Sequence, residues 1–164
     1  MKVEIVNKSG FELPKYESLL AAGVDVRAII KSEDIKCFEG NVTVDEEAGV
    51  LEMSPGARVM IPTGIYMAIE PGYEAQVRSR SGKSLKEGLI VVQGVGTIDA
   101  DYRGECKVCI ANISNYPQRI QHGERVAQFV FKAVEQAEFV LKNDVSELSS
   151  TERGAGGFGN SGKF

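Results

Sequence analysis

Short runs rich in aliphatic, β-branched and aromatic residues, bounded by Gly, Pro, Asn and Asp, dominate the chain. No stretch holds an apolar period of helical spacing for the roughly 10 to 12 residues of an ordinary helix. Strands are expected over 3–6, 24–30, 58–61, 65–69, 73–78, 89–93, 105–112, 125–134 and 138–141. Turn signals such as Pro62-Thr63-Gly64, Pro71-Gly72 and His122-Gly123 separate them. Ser84 to Glu87 has room for one helical turn, and 16–22 is weakly helical. The pattern as a whole is all-β, of the sandwich or barrel kind.

Two segments break it. Residues 31–53 are acidic and poorly patterned, with Val42-Thr43-Val44 as one extra strand, and read as an inserted hairpin or loop within a β domain of residues 1–150. From Gly154 to Phe164 five of eleven residues are glycine. A backbone with that much conformational freedom does not fold as a core element, so 151–164 reads as a mobile arm. Arg153, Phe158 and Ser161 give this arm a cation, an aromatic face and a hydroxyl, a set that suits a nucleotide.

Composition narrows the partners. At 164 residues the chain suits one compact domain that needs no disulfides. A net charge of -4 excludes a surface that holds nucleic acid by general phosphate attraction, so a polyanionic ligand must be gripped by local positive charge. No apolar run approaches the roughly 18 residues of a membrane span, and Met1-Lys2-Val3-Glu4 lacks the apolar core of a signal peptide, which points to a cytoplasmic protein. Three cysteines, Cys37, Cys106 and Cys109, are expected as reduced thiols. Strand alternation through 105–110 would send Cys106 and Cys109 to opposite faces, against a zinc site.

The first candidate chemistry is Arg78-Ser79-Arg80-Ser81-Gly82-Lys83-Ser84. Its Gly-Lys-Ser ending suggests a phosphate-binding P-loop, but that motif needs glycine where this chain has Val77, so the match fails. A basic, hydroxyl-bearing turn remains, able to offer arginines and backbone N–H groups to phosphate, or to be an ordinary charged turn. The second is Gln93 to Gly104, where Gly94 and Gly96 permit a tight hairpin carrying Asp99 and Asp101. The third is Asp25 within Ala21-Ala22-Gly23-Val24-Asp25-Val26.

Five separated blocks, taken in order, resemble the motifs of the trimeric dUTPase family. They are Ala22 to Ala28, Arg80-Ser81-Gly82, Gly96 to Gly104, Gly123 to Gln128, and Arg153 to Gly162. The resemblance covers nearly the whole chain. It implies a jelly-roll-like fold, a homotrimer with active sites shared between subunits, and Mg²⁺-dependent hydrolysis of dUTP to dUMP and pyrophosphate, which limits uracil in DNA and supplies dUMP for thymidylate. Asp99 would be the base that activates water against the α-phosphorus. Asp25 would hold Mg²⁺ through water. Tyr102 would pack on the deoxyribose, and the hairpin backbone of Gln93, Gly96, Thr97 and Ile98 would read uracil.

Arg80, Ser81, Gly82 and Gln128 match phosphate contacts. Arg153 and Ser161 match arm positions at the γ end, with Phe158 stacked on uracil and Gly159 beside it. The chain departs from the family at Ser79, usually Pro, and at Lys83-Ser84, usually Leu-Ala, where Lys83 would add charge near phosphate. Asn160 stands where the arm often has Ser or Thr. A dCTP deaminase shares this fold but attacks the base; Ile98 to Tyr102 and the Arg153 to Gly162 pattern disfavour it. A nucleotide-sensing binding protein is the other alternative.

Overall fold

The computed structural model describes residues 1–157. Thirteen strands are found there: β1 (Val3–Asn7), β2 (Val24–Arg27), β3 (Lys36–Glu39), β4 (Val42–Asp45), β5 (Val50–Met53), β6 (Arg58–Ile61), β7 (Ile65–Ile69), β8 (Tyr73–Ser79), β9 (Leu89–Val91), β10 (Val95–Ile98), β11 (Val108–Asn112), β12 (Gln118–Gln121) and β13 (Arg125–Ala133). One helix, α1 (Ser81–Glu87), follows β8 directly. It ends at Gly88, whose φ of 67° is a left-handed C-cap donating its N–H to the Lys83 carbonyl. The class is all-β, as the pattern demanded. No helix among the described residues is long and apolar enough to cross a membrane.

All ladders are antiparallel and fall into four sheets, ordered β1-β7, β10-β8-β13-β2, β3-β6-β11-β9 and β12-β5-β4. Inward positions alternate cleanly. Ile65, Met67 and Ile69 of β7 are buried while Tyr66 and Ala68 are only half-buried, the period of two that a pleated strand requires. Val26, Leu51, Val59, Ile61, Ile120 and Phe129 lie at the centre of the core. Burying each such side chain contributes roughly 1.5–3 kcal/mol.

Residues 31–53 are not an excursion from this core. β4 and β5 form the expected hairpin, yet β5 also pairs with β12, and its Leu51 and Met53 are completely buried. β3 joins β6 through a bulge between Cys37 and Glu39. The acidic turn around Asp45 to Ala48 masks this strand pattern in the sequence. Conversely, 138–141 carries apolar residues but forms no strand; Phe139 and Leu141 are exposed.

The chain divides into two compact units, Met1–Val134 and Glu135–Phe164, ahead of the division expected at 150/151. The described part of the second holds a short 3-10 turn, Val145–Glu147. The Asp144 carboxylate caps it, accepting from the Ser146 N–H at 2.8 Å and the Ser146 hydroxyl at 2.6 Å. Those bonds hold the Asp144 carboxyl below the usual carboxylate range.

Candidate active site

A bulge in β13 builds the first half of the site. Arg125 pairs with Arg27 but Ala127 pairs with Val26, so two residues of β13 oppose one of β2. On a regular strand Arg125 and Gln128, three apart, would point to opposite faces. The bulge restores their phase, because their partners Arg27 and Asp25 are only two apart. Gln128 thereby stands opposite both Asp25 on β2 and Arg78 on β8.

Charged side chains knit this region. Arg80 Nε donates to Asp25 Oδ1 at 3.0 Å, and its Nη1 donates to the Arg125 carbonyl at 3.0 Å. Arg125 Nη1 reaches Asp25 Oδ2 at 3.5 Å, while Nη2 pairs with Glu17 at 2.6 Å. Asp25 therefore sits between two guanidiniums with its side chain 20% exposed. Gln128 Nε2 donates to the Ser79 carbonyl at 3.1 Å. Any Cβ on Gly23 would come within 2.6 Å of Gln128 Oε1 and 3.1 Å of the Phe129 carbonyl, so this close approach requires glycine. Ser81 and Gly82 are exposed, and apart from its chain neighbours and its own helix backbone no atom lies within 4 Å of where a Gly82 Cβ would stand, leaving that side open to a ligand.

Two departures from the family pattern find partners. The Ser79 hydroxyl accepts the Val91 N–H at 2.8 Å, tying β8 to β9. Lys83 does not supply charge to the turn's open face. Its side chain is only 6% exposed and its ammonium pairs with Glu87 at 2.6 Å and with Glu124. A buried ammonium is held only where carboxylates compensate its desolvation, and here the half-buried Glu87 and Glu124 do so.

The second half is β10 with the turns on either side of it; the expected hairpin does not form, because β9 pairs with β11 and β10 with β8, in different sheets. Gln93, Gly96, Thr97, Ile98, Asp99 and Tyr102 line one cavity of about 430 Å³. β10 pairs with β8, Ile98 opposite Ala75 and Gly96 opposite Val77, where a Cβ on Gly96 would stand 3.2 Å from Val77 Cβ. Asp99 follows at the strand end, exposed, and its carbonyl accepts the Tyr102 N–H at 3.1 Å. The Tyr102 hydroxyl donates to the Glu105 carbonyl at 3.1 Å, and the ring lies so close over Gly104 that no Cβ fits there.

Cys106 and Cys109 both border the cavity, because the strand starts only at Val108 and alternation does not govern the pair. Burial first, then the Glu105 carboxylate, pushes the Cys106 thiol up to about 11, so it is protonated at neutral pH and is no nucleophile. Among the described residues no three His, Cys, Asp or Glu side chains group to hold a metal.

β10 runs along β8 from Arg78 to Ala75, so Asp99, one residue beyond Ile98, stands at the Ala75 end whereas Arg80 lies just beyond Ser79. Five residues at strand spacing put Ala75 and Arg80 roughly 16 Å apart. Arg153 belongs to the second unit, where its Nε donates to the Gly156 carbonyl at 2.6 Å. Phe158, Gly159 and Ser161 lie outside the described residues.

A family model described as dUTPase matches residues 48–162. The deoxyuridine 5'-triphosphate nucleotidohydrolase of Fusobacterium nucleatum is 44% identical over 164 residues, covering 99% of this chain and 98% of that protein. The chain belongs to the dUTPase family. The Bdellovibrio bacteriovorus protein of the same name is 45% identical over 163 residues, covering 99% and 96%. Among solved structures, the Staphylococcus bacteriophage 80alpha dUTPase with dUPNHPP superposes with a TM-score of 0.76 at 24% identity, over 98% of each chain. The Streptococcus mutans dUTPase gives 0.63 at 27% identity, over 85% of this chain and 100% of that one.

Within this dUTPase-family chain, Arg125, Gly23 and Gly104 fall inside the motif blocks, but no role for any of them was legible in the sequence. Arg125 was concealed because its phase depends on the bulge. The glycines were concealed because each is required by a side chain packed against it, Gln128 in one case and Tyr102 in the other.

Proposed function

We propose that the protein hydrolyses dUTP to dUMP and pyrophosphate, with Asp99 activating the attacking water. Family membership over the full length carries the reading, and two relatives bear the name of this activity. It is supported by a cavity bringing Asp99 and Tyr102 together beside the backbone of β10. In the reaction Asp99 accepts a proton from water as its oxygen bonds to the α-phosphorus. The bond from that phosphorus to the bridging oxygen breaks, and pyrophosphate leaves with the electron pair.

A positioned base contributes on the order of 10² to 10⁴ in rate. Charge on the non-bridging oxygens is met by Arg80 and the exposed Ser81-Gly82 backbone, with Gln128 behind them. Tyr102 lies against the sugar and excludes a 2′-hydroxyl; the backbone from Gln93 to Ile98 reads uracil.

The residues fit Mg²⁺ in one form. With no cluster of protein ligands among the described residues, Asp25 offers one carboxylate, whose Oδ2 is held only at 3.5 Å. Asp25, Arg27 and Arg125 also line a small cavity of about 40 Å³, room for one or a few waters. Asp25 would hold this hard cation through retained water, and the cation would supply neutralisation of phosphate charge.

The roughly 16 Å along β8 between the Asp99 end and Arg80 supports a site shared between copies of the chain, which we assign to a homotrimer. Arg153, Phe158, Gly159 and Ser161 then close over the nucleotide of a neighbour. Such an enzyme serves the cytoplasmic nucleotide pool, lowering dUTP and supplying dUMP.

Pyrophosphate release across dUTP, dTTP, dCTP and UTP, each with and without Mg²⁺, tests the proposal. Selective, Mg²⁺-stimulated release from dUTP is expected. Ammonia from dCTP would make the protein a deaminase, and binding of dUTP without turnover would make it a sensor.

A further inference from the structure

We propose that Lys83 is a positioning residue that clamps the Arg80-Ser81-Gly82 turn in register with the strand carrying Arg125 and Gln128. The proposal rests on reading that turn as the triphosphate grip. Lys83 lies in the first turn of α1, immediately after Gly82, with its ammonium buried against two carboxylates. Their roles differ. Glu87 lies on α1 itself, four residues on, so its pair with Lys83 ties nothing across the fold.

Glu124 belongs to the turn between β12 and β13 and is fixed there from three sides. Its Oε2 accepts the Gln121 N–H at 2.9 Å, its own N–H donates to the Gln121 carbonyl at 3.0 Å, and its carbonyl accepts the Ala28 N–H at 2.9 Å. Lys83 is thus held by a carboxylate that cannot drift. One residue beyond Glu124, the Arg125 carbonyl accepts Arg80 Nη1 at 3.0 Å. Two adjacent ties, Lys83 to Glu124 and Arg80 to Arg125, therefore set where Ser81 and Gly82 sit relative to Gln128. A charge-assisted bond in a water-poor setting is the stronger kind, so losing the buried tie loosens the turn while leaving its residues intact.

The test compares Lys83→Met, Glu124→Gln and Glu87→Gln with the wild type. Affinity for inorganic tripolyphosphate is measured by calorimetry, dUTP kinetics by pyrophosphate release, and folding by thermal melting. Lys83→Met should weaken tripolyphosphate binding and raise KM for dUTP about tenfold, with a smaller change in kcat. Glu124→Gln should follow in the same direction, and Glu87→Gln should stay within about twofold.

A destabilised but folded protein would not divide its effects between KM and kcat, nor between Glu124 and Glu87, in this way. If Lys83→Met does not fold, Glu124→Gln, which keeps an oxygen acceptor, decides. Wild-type tripolyphosphate affinity in folded Lys83→Met and Glu124→Gln would overturn the clamp, as would equal losses in Glu124→Gln and Glu87→Gln. A wild type that binds tripolyphosphate yet leaves dUTP intact would refute the enzymatic reading alone, the clamp then standing or falling on affinity. Absence of tripolyphosphate binding by the wild type would overturn both.

Discussion

The two ends of β8 are built on opposite principles. At the Ser79 end, Asp25, Arg80, Arg125 and Glu17 already hold one another in ion pairs, with Lys83 buried behind them against the half-buried Glu87 and Glu124. At the Ala75 end, Asp99 is exposed and its side chain makes no hydrogen bond or ion pair among the described residues, while Tyr102 is fixed by one bond to a carbonyl. The contrast follows the work assigned to each end. A grip for a polyanion must pre-arrange its cations, whereas a base must keep a lone pair for water.

The sharpest way to break this comparison is to neutralise each end's carboxylate in turn. Asp99→Asn should lower kcat by about 10² to 10⁴ with KM nearly unchanged, since it removes a group acting only on the reacting water. Steady-state kinetics on dUTP check it; a wild-type kcat would remove Asp99 from the chemistry. Asp25→Asn should instead raise KM about tenfold and cost about 1–3 kcal/mol of stability, because two arginines lose their shared charged acceptor. Kinetics with a thermal melt separate the two outcomes.

Tyr102→Ala probes the turn after β10 alone and should raise the UTP to dUTP ratio of kcat/KM about tenfold. An unchanged ratio would leave the sugar unfiltered by this ring. The smallest effect concerns Cys106. Its thiol rises from 9.0 to about 11 on folding, so within that window the unfolded chain loses a proton that the folded chain keeps. Stability should fall as pH rises through the window, and Cys106→Ala should flatten the slope in denaturant titrations at alkaline pH.

Much of this was legible beforehand. Alternation in 65–69, 73–78 and 125–134 and the turns at Pro62-Thr63-Gly64 and Pro71-Gly72 are local signals, and the strands appear there. β5 was obscured because Leu51 and Met53 follow an acidic turn, and 138–141 misled because β-prone residues without a ladder partner make no strand. The hairpin expected over Gln93 to Ile98 does not form, because β9 and β10 each take a distant partner, β11 and β8, in different sheets.

What the sequence determined by itself was the all-β class, the family, and which residue types are available for phosphate, sugar and water, because period, turn chemistry and motif are properties of neighbouring residues. Tertiary structure alone decided that Lys83 turns inward, that a bulge brings Arg125 and Gln128 into phase, and that Asp99 stands at the far end of β8 from Arg80. Those outcomes depend on which distant strand pairs with which, and on the cost of burying a charge away from its partner.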